Sequence, residues 1–326
     1  MMKPATFAAL GAALLLSCQV HAQPASPMPT DFQIKRGEYR GWPDAVFLRN
    51  GEVEAVIVPA IGRVMQFRIA GEADGPFWEN PAVDGRRASQ DTKGWFNYGG
   101  DKVWPAPQAA WPRIAGRGWP PPAGFDGRPA QAEISGSAVT LVFPPDPTYG
   151  LQVRRRIALT PGRQVMTITT TFEKTSGSAV EVGVWTITQL RDPEAVRAPA
   201  PEGPAADGVP VLLGGYAAPP MKTEPHWLVV ARDPAANHKI GLRTGPLLWI
   251  GAAFTLRLDS DVVPGAVYPD HGSSAEIYTN ADPLAYVELE LLGPLTTLQA
   301  GERIEQTVTY TLGRRDGSQS PRRAGP

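Results

Sequence analysis

Apolar and polar residues alternate along most of this chain with a period of two. In residues 52–58, Val53, Ala55 and Ile57 fall on one side. After the turn Pro59-Ala60-Ile61-Gly62, residues 63–69 return with Val64, Gln66 and Arg68 opposite Met65, Phe67 and Ile69. A period of two sends alternate side chains to opposite faces of an extended backbone, so both segments read as strands. Residues 131–135 and 138–143 read as a hairpin about Ser135-Gly136-Ser137, and 151–159 with 163–172 as a long pair turned by Thr160-Pro161-Gly162. Further strands are predicted at 180–189, 227–231, 239–244, 253–258, 275–279, 285–291 and 303–312. No long segment carries a helical stripe. Short strands between turn signals define an all-β protein, and their unbroken run predicts one large antiparallel sandwich over residues 31–313.

Thirty-four glycines and 35 prolines spread over 326 residues reinforce that reading, because both disfavour helix interiors. Residues 70–82 and 84–129 show no alternation and predict long ordered loops, a feature often tied to function. The Pro-rich stretch 198–210 reads as a surface loop rather than a linker, since strands continue beyond it. Residues 314–326, rich in Arg, Ser, Gly and Pro, predict a disordered tail.

The first 22 residues have the form of a signal peptide: Met1-Met2-Lys3, then a small-residue and leucine run from Ala5 to Leu16, too short to span a membrane. Two processing signals compete. Val20-His21-Ala22 suits an ordinary signal peptidase, whereas Leu15-Leu16-Ser17-Cys18 suits a lipoprotein signal with Cys18 as the lipid-bearing residue. Either predicts export, to the periplasm, to the outer membrane by a lipid anchor, or beyond the cell. Cys18 is the only cysteine, so no disulfide can staple the exported domain, and core burial must hold it. A net charge of −1 offers no footprint for nucleic acid, and no second apolar run predicts a transmembrane segment.

The densest chemistry lies in Gly99-Gly100-Asp101-Lys102-Val103-Trp104-Pro105-Ala106-Pro107-Gln108. Its prolines and glycines argue against a helix or a central strand and predict a loop. Trp95, Trp104, Trp111 and Trp119 lie in or beside this stretch, out of nine tryptophans in the chain. These rings either pin the loop to the sandwich or face a groove as a stacking platform. Asn97, Asp101, Lys102, Trp104 and Gln108 form the mixture of apolar face and hydrogen-bonding group that a sugar requires. Gly99 and Gly100 would let backbone N–H groups approach such a ligand. Near the C-terminus, Tyr286-Val287-Glu288-Leu289-Glu290-Leu291 puts Glu288 and Glu290 on one strand face. If that face is solvated the pair is ordinary; if it is buried, like charges two residues apart raise a carboxyl pKa and create a candidate base. The turn at residues 280–283 can fold residues 275–279 back beside Glu288, which would put His271 and Glu288 on neighbouring strands, at the same end or at opposite ends. Only His226, His238 and His271 follow the leader. Their spacing matches no metal site, and neither a nucleophile elbow nor a phosphate loop is present, so no metal or cofactor is expected.

The run from Gly99 to Gln108 resembles the hallmark of a bacterial family, the domain of unknown function numbered 4380. Tyr39-x-Gly41-Trp42, Val58-Pro59-Ala60-Ile61-Gly62-Arg63-Val64, Tyr268-Pro269-Asp270, Tyr286-x-Glu288-x-Glu290 and Leu298-Gln299-Ala300-Gly301-Glu302 are similar as well. That family resembles the galactose-mutarotase-like superfamily, which implies a β-supersandwich with a concave sugar-binding face. The resemblance implies a base at Glu288 and ligand contacts from Arg63, Trp185, Gln189 and Glu290. A mutarotase also carries an acid, a histidine on a mid-chain strand. Residues 183–189 here read Gly-Val-Trp-Thr-Ile-Thr-Gln, without one. Two readings follow. The chain is an exported carbohydrate-binding protein without a complete acid/base pair, or it is a carbohydrate-active enzyme, an epimerase or a lyase or hydrolase, using Glu288 as base with His271 or Lys102 as the substitute acid.

Overall fold

A computed structural model describes residues 32–87, 95–200 and 210–315. The leader with Cys18 and the tail beyond Arg315 lie outside them, as do residues 201–209 of the expected surface loop. The strands among the described residues are, in chain order, β1 (Gln33–Tyr39), β2 (Trp42–Arg49), β3 (Val53–Val58), β4 (Arg63–Ile69), β5 (Asp101–Ala106), β6 (Gln131–Ser135), β7 (Ala138–Val142), β8 (Leu151–Leu159), β9 (Val165–Lys174), β10 (Val180–Arg191), β11 (Ala195–Pro199), β12 (Val211–Leu212), β13 (Met221–Glu224), β14 (Trp227–Val230), β15 (His238–Leu242), β16 (Leu247–Ile250), β17 (Phe254–Asp259), β18 (Ala275–Thr279), β19 (Tyr286–Leu292), β20 (Thr296–Leu298) and β21 (Arg303–Arg314).

They form two antiparallel sheets. One runs β1-β2-β3-β4-β5-β10-β19-β18-β15-β12, with β20 on the end of β10; the other runs β13-β14-β11-β16-β17-β21-β9-β8-β7-β6. The protein is therefore all-β, as the alternation requires. In β8 the odd-numbered residues Leu151 to Leu159 are buried, and in β9 the even-numbered ones from Met166 to Lys174. These faces pack on Val103, Val184, Val287, Leu289 and Ile277 of the first sheet in one continuous core. Each fully buried aliphatic side chain contributes about 1.5–3 kcal/mol by leaving water.

The opposite face of β5, β10 and β19 is also covered. In β10 every residue from Val182 to Leu190 is buried, and β19 is buried at all positions but Glu288. The second cover comes from residues 95–130, which fold over the sheet and put Trp104, Trp111 and Trp185 into the main core. Glu290 is therefore fully buried, and Glu288 keeps only partial exposure rather than standing on an open solvated strand face.

The sequence-based reading of residues 99–108 as a loop is corrected here, because β5 is a central strand between β4 and β10. Its proline is tolerated for a geometric reason. Gln189 N donates to Gly100 O at 3.0 Å, so even-numbered β5 residues bond to β10 and the nitrogen of Pro105 faces away from it. On that far side β4 pairs with β5 only at Asp101, so no ladder bond is lost. The glycines likewise serve the fold rather than a ligand. Gly100 N donates to Trp78 O, and a Cβ on Gly99, at φ +91°, would come within 2.2 Å of Trp78 O. The last strand reaches Arg314, where the expected tail begins; that side chain pairs with Glu72.

Candidate functional site

Side chains one residue out of phase with the core project from five neighbouring strands of the first sheet onto its covered face. They are Lys102 and Trp104 from β5, Trp185 and Gln189 from β10, Glu288 and Glu290 from β19, Glu276 and Tyr278 from β18, and Lys239 from β15. The register puts Gln189 opposite Glu288, Glu276 opposite Glu290, and Tyr278 opposite both Glu288 and Lys239.

Two lysines organise this floor. Lys102 Nζ lies 3.0 Å from Glu288 Oε1 and 4.6 Å from the centre of the Trp104 ring. Lys239 Nζ lies 2.7 Å from Glu276, 3.0 Å from Glu290 and 4.5 Å from the Trp185 ring centre. Trp185 Nε1 closes the network by donating to Glu290 Oε2 at 2.6 Å. Each ammonium is thus held between carboxylate and indole, in surroundings where such contacts are stronger than in water. Burial pushes the Glu288 carboxyl above the usual carboxylate range, against the pull of Lys102, and Glu290 adds to the rise. Glu276, fully buried, is raised further by the same cause. For Lys239 burial opposes the charge, but Glu276 and Glu290 outweigh it and hold the ammonium protonated.

Above the floor opens a cavity of about 940 Å³. Trp95, Trp104, Gln108 and Trp119 wall one side, and Tyr216, Tyr278 and Tyr286 the other. Asp270 and His271 stand at its rim, both with positive φ (47° and 63°). Asp126 fixes the tryptophan wall. It accepts from Trp95 Nε1 at 2.8 Å and Trp104 Nε1 at 3.1 Å, and pairs with the buried guanidinium of Arg63. Trp104 and Trp111 are buried, which is the pinning role open to these rings from sequence. Trp119 plays the other part: it is 52 % exposed, edge-on to Trp95 and Trp104.

The residues expected from sequence therefore divide. Asn97, Trp104, Gln108, Trp185, His271 and Glu288 line the cavity. Lys102 and Glu290 lie in the floor network beneath it, and Gln189 is buried beside them. Asn97 is held by Nδ2 donation to the Tyr286 hydroxyl at 3.3 Å. Two residues fall elsewhere. Arg63 donates to Gly99 O at 2.8 Å and packs on the Tyr98 ring, so it braces the loop from behind. Asp101 points between the sheets, where it pairs with Arg155 and accepts from Thr188 Oγ1 at 2.7 Å and the Tyr310 hydroxyl at 2.5 Å. Strand alternation separates it from Lys102: neighbours in sequence face opposite ways.

Sequence reasoning passed over Lys239, Glu276, Tyr278 and Asp126. Glu276 carried the signal that marked Glu288, an acid inside an apolar strand. Asp126 carried none, since it sits alone in a stretch rich in glycine and proline.

No protein-family profile matches the chain, and no curated protein does. Solved structures share its fold. A galactose mutarotase-like protein from Lactobacillus casei aligns over 82% of this chain and 100% of its own, at 11% identity and a TM-score of 0.54. A galactose mutarotase related enzyme from Lactobacillus acidophilus aligns over 82% and 97%, at 11% identity and a TM-score of 0.52. A TPR-domain containing protein from Parabacteroides distasonis aligns over 86% of this chain at 14% identity and a TM-score of 0.56, and this chain spans half of that protein's length. The two-sheet architecture is that of the galactose mutarotase-like sandwich.

Proposed function

We propose that this protein is an exported, carbohydrate-binding protein of the cell envelope whose ligand lies in the cavity over β5, β10, β19 and β18. One observation carries the reading: the tryptophan segment near residue 104 and the acids near residue 288 meet across a single concavity. Its volume falls within the range of small-molecule sites, and its composition is aromatic wall over polar floor. The shared fold with galactose mutarotase-like proteins supports a sugar as the ligand. The exposed Trp119 ring is the surface on which the apolar face of a sugar would stack. Binding without turnover fits the lack of a histidine on β10, where Trp185 has its N–H occupied by Glu290 and cannot serve as a general acid.

The test is a monosaccharide and glycan panel read by calorimetry. Trp119→Ala removes an exposed ring and leaves the core intact, so it should weaken binding by about tenfold, the equivalent of roughly 1.4 kcal/mol of stacking and burial. Glu288→Gln should retain binding of neutral sugars. A panel without a single ligand would end the proposal.

A second reading is favoured by one feature: the raised carboxyl of Glu288, placed against the cavity, is the state of a general base. In an epimerase it would take the proton of the anomeric hydroxyl while an acid protonates the ring oxygen, with His271 at the rim as the candidate acid. Under this reading Glu288→Gln keeps affinity and loses turnover; anomer exchange unchanged in that variant removes Glu288 from the mechanism.

A further inference from the structure

The floor is unbalanced in charge and in hydrogen-bonding capacity. Three carboxyls, Glu276, Glu288 and Glu290, face two ammoniums, Lys102 and Lys239. Both ammoniums and the indole of the floor are engaged: Lys102 by Glu288, Lys239 by two carboxylates and an indole face, Trp185 Nε1 by Glu290; the Gln189 amide, buried opposite Glu288, is not. Several carboxyl and amide acceptors also lack partners. Glu276 Oε1 is wholly buried against the cavity with no hydrogen-bond partner, and Asn97 Oδ1 on the wall is in the same position. No arginine lines the cavity among the described residues; Arg243 stands behind Gly272, outside the lining. A buried acceptor without a donor is costly, and more so when it is a carboxylate. The group that completes such a floor brings donors and positive charge. The Tyr278 ring, two residues along β18 on the same face as Glu276, and Tyr216, 6.0 Å from it, add aromatic faces that attract a cation.

We infer that the pocket selects a sugar bearing a free amine, with its ammonium donating to Glu276 and Glu288, over uronic acids and sugar phosphates. This rests on the carbohydrate-binding reading above and narrows it to a class of ligand. An anionic sugar would place its charge against Glu276 and Glu288, with both ammoniums already paired to carboxylates. A neutral sugar fits but leaves the excess charge unmatched.

The experiment compares hexosamines, the parent hexoses, their N-acetyl derivatives, their uronates and their 6-phosphates, in the gluco and galacto series. Calorimetry is run on the processed protein, with the amine protonated. One added charge-assisted hydrogen bond predicts that a hexosamine binds at least about tenfold tighter than its hexose and its N-acetyl derivative, with uronates and phosphates weakest. Glu276→Gln should bring hexosamine and hexose within about threefold of each other. The wild-type comparison decides the matter even if that variant fails to fold. Equal affinity for hexosamine and hexose, or tighter binding of an anionic sugar, overturns the inference and leaves the sugar-binding reading standing. Ethanolamine binding as tightly as a hexosamine also overturns it, because the amine would then be read without the ring. Silence across all sugars removes both.

Discussion

Replacing Asp101 by Asn separates a ligand residue from a structural one. Its carboxylate is wholly buried between the sheets, 0 % exposed, as is the guanidinium of Arg155 that it pairs with. Arg155 also donates to the Asp101 backbone carbonyl at 3.3 Å and reaches Thr170 Oγ1 at 3.4 Å, but it has no second carboxylate among its described contacts. Asn keeps the shape and can still accept from Thr188 or Tyr310, so the change removes mainly the charge. A buried cation left without its partner costs about 3–5 kcal/mol. Against a total stability of about 5–15 kcal/mol this is a large fraction. At roughly 2 °C per kcal/mol for a domain of this size, the melting temperature should fall by about 6–10 °C. Urea titration followed by tryptophan fluorescence gives the free energy, and calorimetry the melting temperature. Replacing the pair together, Asp101→Leu with Arg155→Met, should recover most of the loss, because the desolvated charges go as a unit. A stability loss below about 1 kcal/mol for Asp101→Asn, or a loss of sugar binding at unchanged stability, would refute the assignment of Asp101 to the core.

Two further outcomes follow from the geometry. Glu276 and Glu288 hold protons more tightly in the folded than in the unfolded chain, so their contribution to stability is full below the ordinary carboxylate range and lost as pH rises through their raised values. Thermal melts from about pH 4.5 to 8 should therefore show a shallower decline on the alkaline side for Glu276→Gln than for the wild type, and matching slopes would deny the buried-acid description. Gly71 and Gly99 both have φ near +90°, but a Cβ on Gly71 meets open space and one on Gly99 meets Trp78 O. Gly71→Ala should cost about 1 kcal/mol and Gly99→Ala at least about 2 kcal/mol more by denaturant midpoint, whereas equal costs would mean that backbone strain alone requires these glycines.

The class of fold was legible along the chain because a two-residue period follows directly from strand geometry. β4, β18 and both strands of the β6–β7 hairpin begin where alternation places them. Among the described residues eight strands escaped notice, β1, β2, β5, β11, β12, β13, β16 and β20, some of them too short to show a period; two of them lacked the signal altogether. β1 has no buried residue and reads as polar, and β5 carries a proline and is buried on both faces, so its pattern does not alternate. Half of the floor was legible for the same reason: Glu288 and Glu290 stand out as acids inside an apolar strand. What local sequence could not supply was the facing of β5 and the identity of its neighbours. Asp101 and Lys102 are adjacent in the chain, yet one secures the interior and the other the cavity floor. That Lys239 on β15, Glu276 on β18 and Asp126 in a loop join Trp104, Trp185 and Glu288 depends on pairings between residues far apart in the chain, such as Lys102 and Glu288, 186 positions apart. Strand order and register are properties of the assembled sheet, where burial and hydrogen bonding are satisfied for all strands at once, and no short window of sequence contains them.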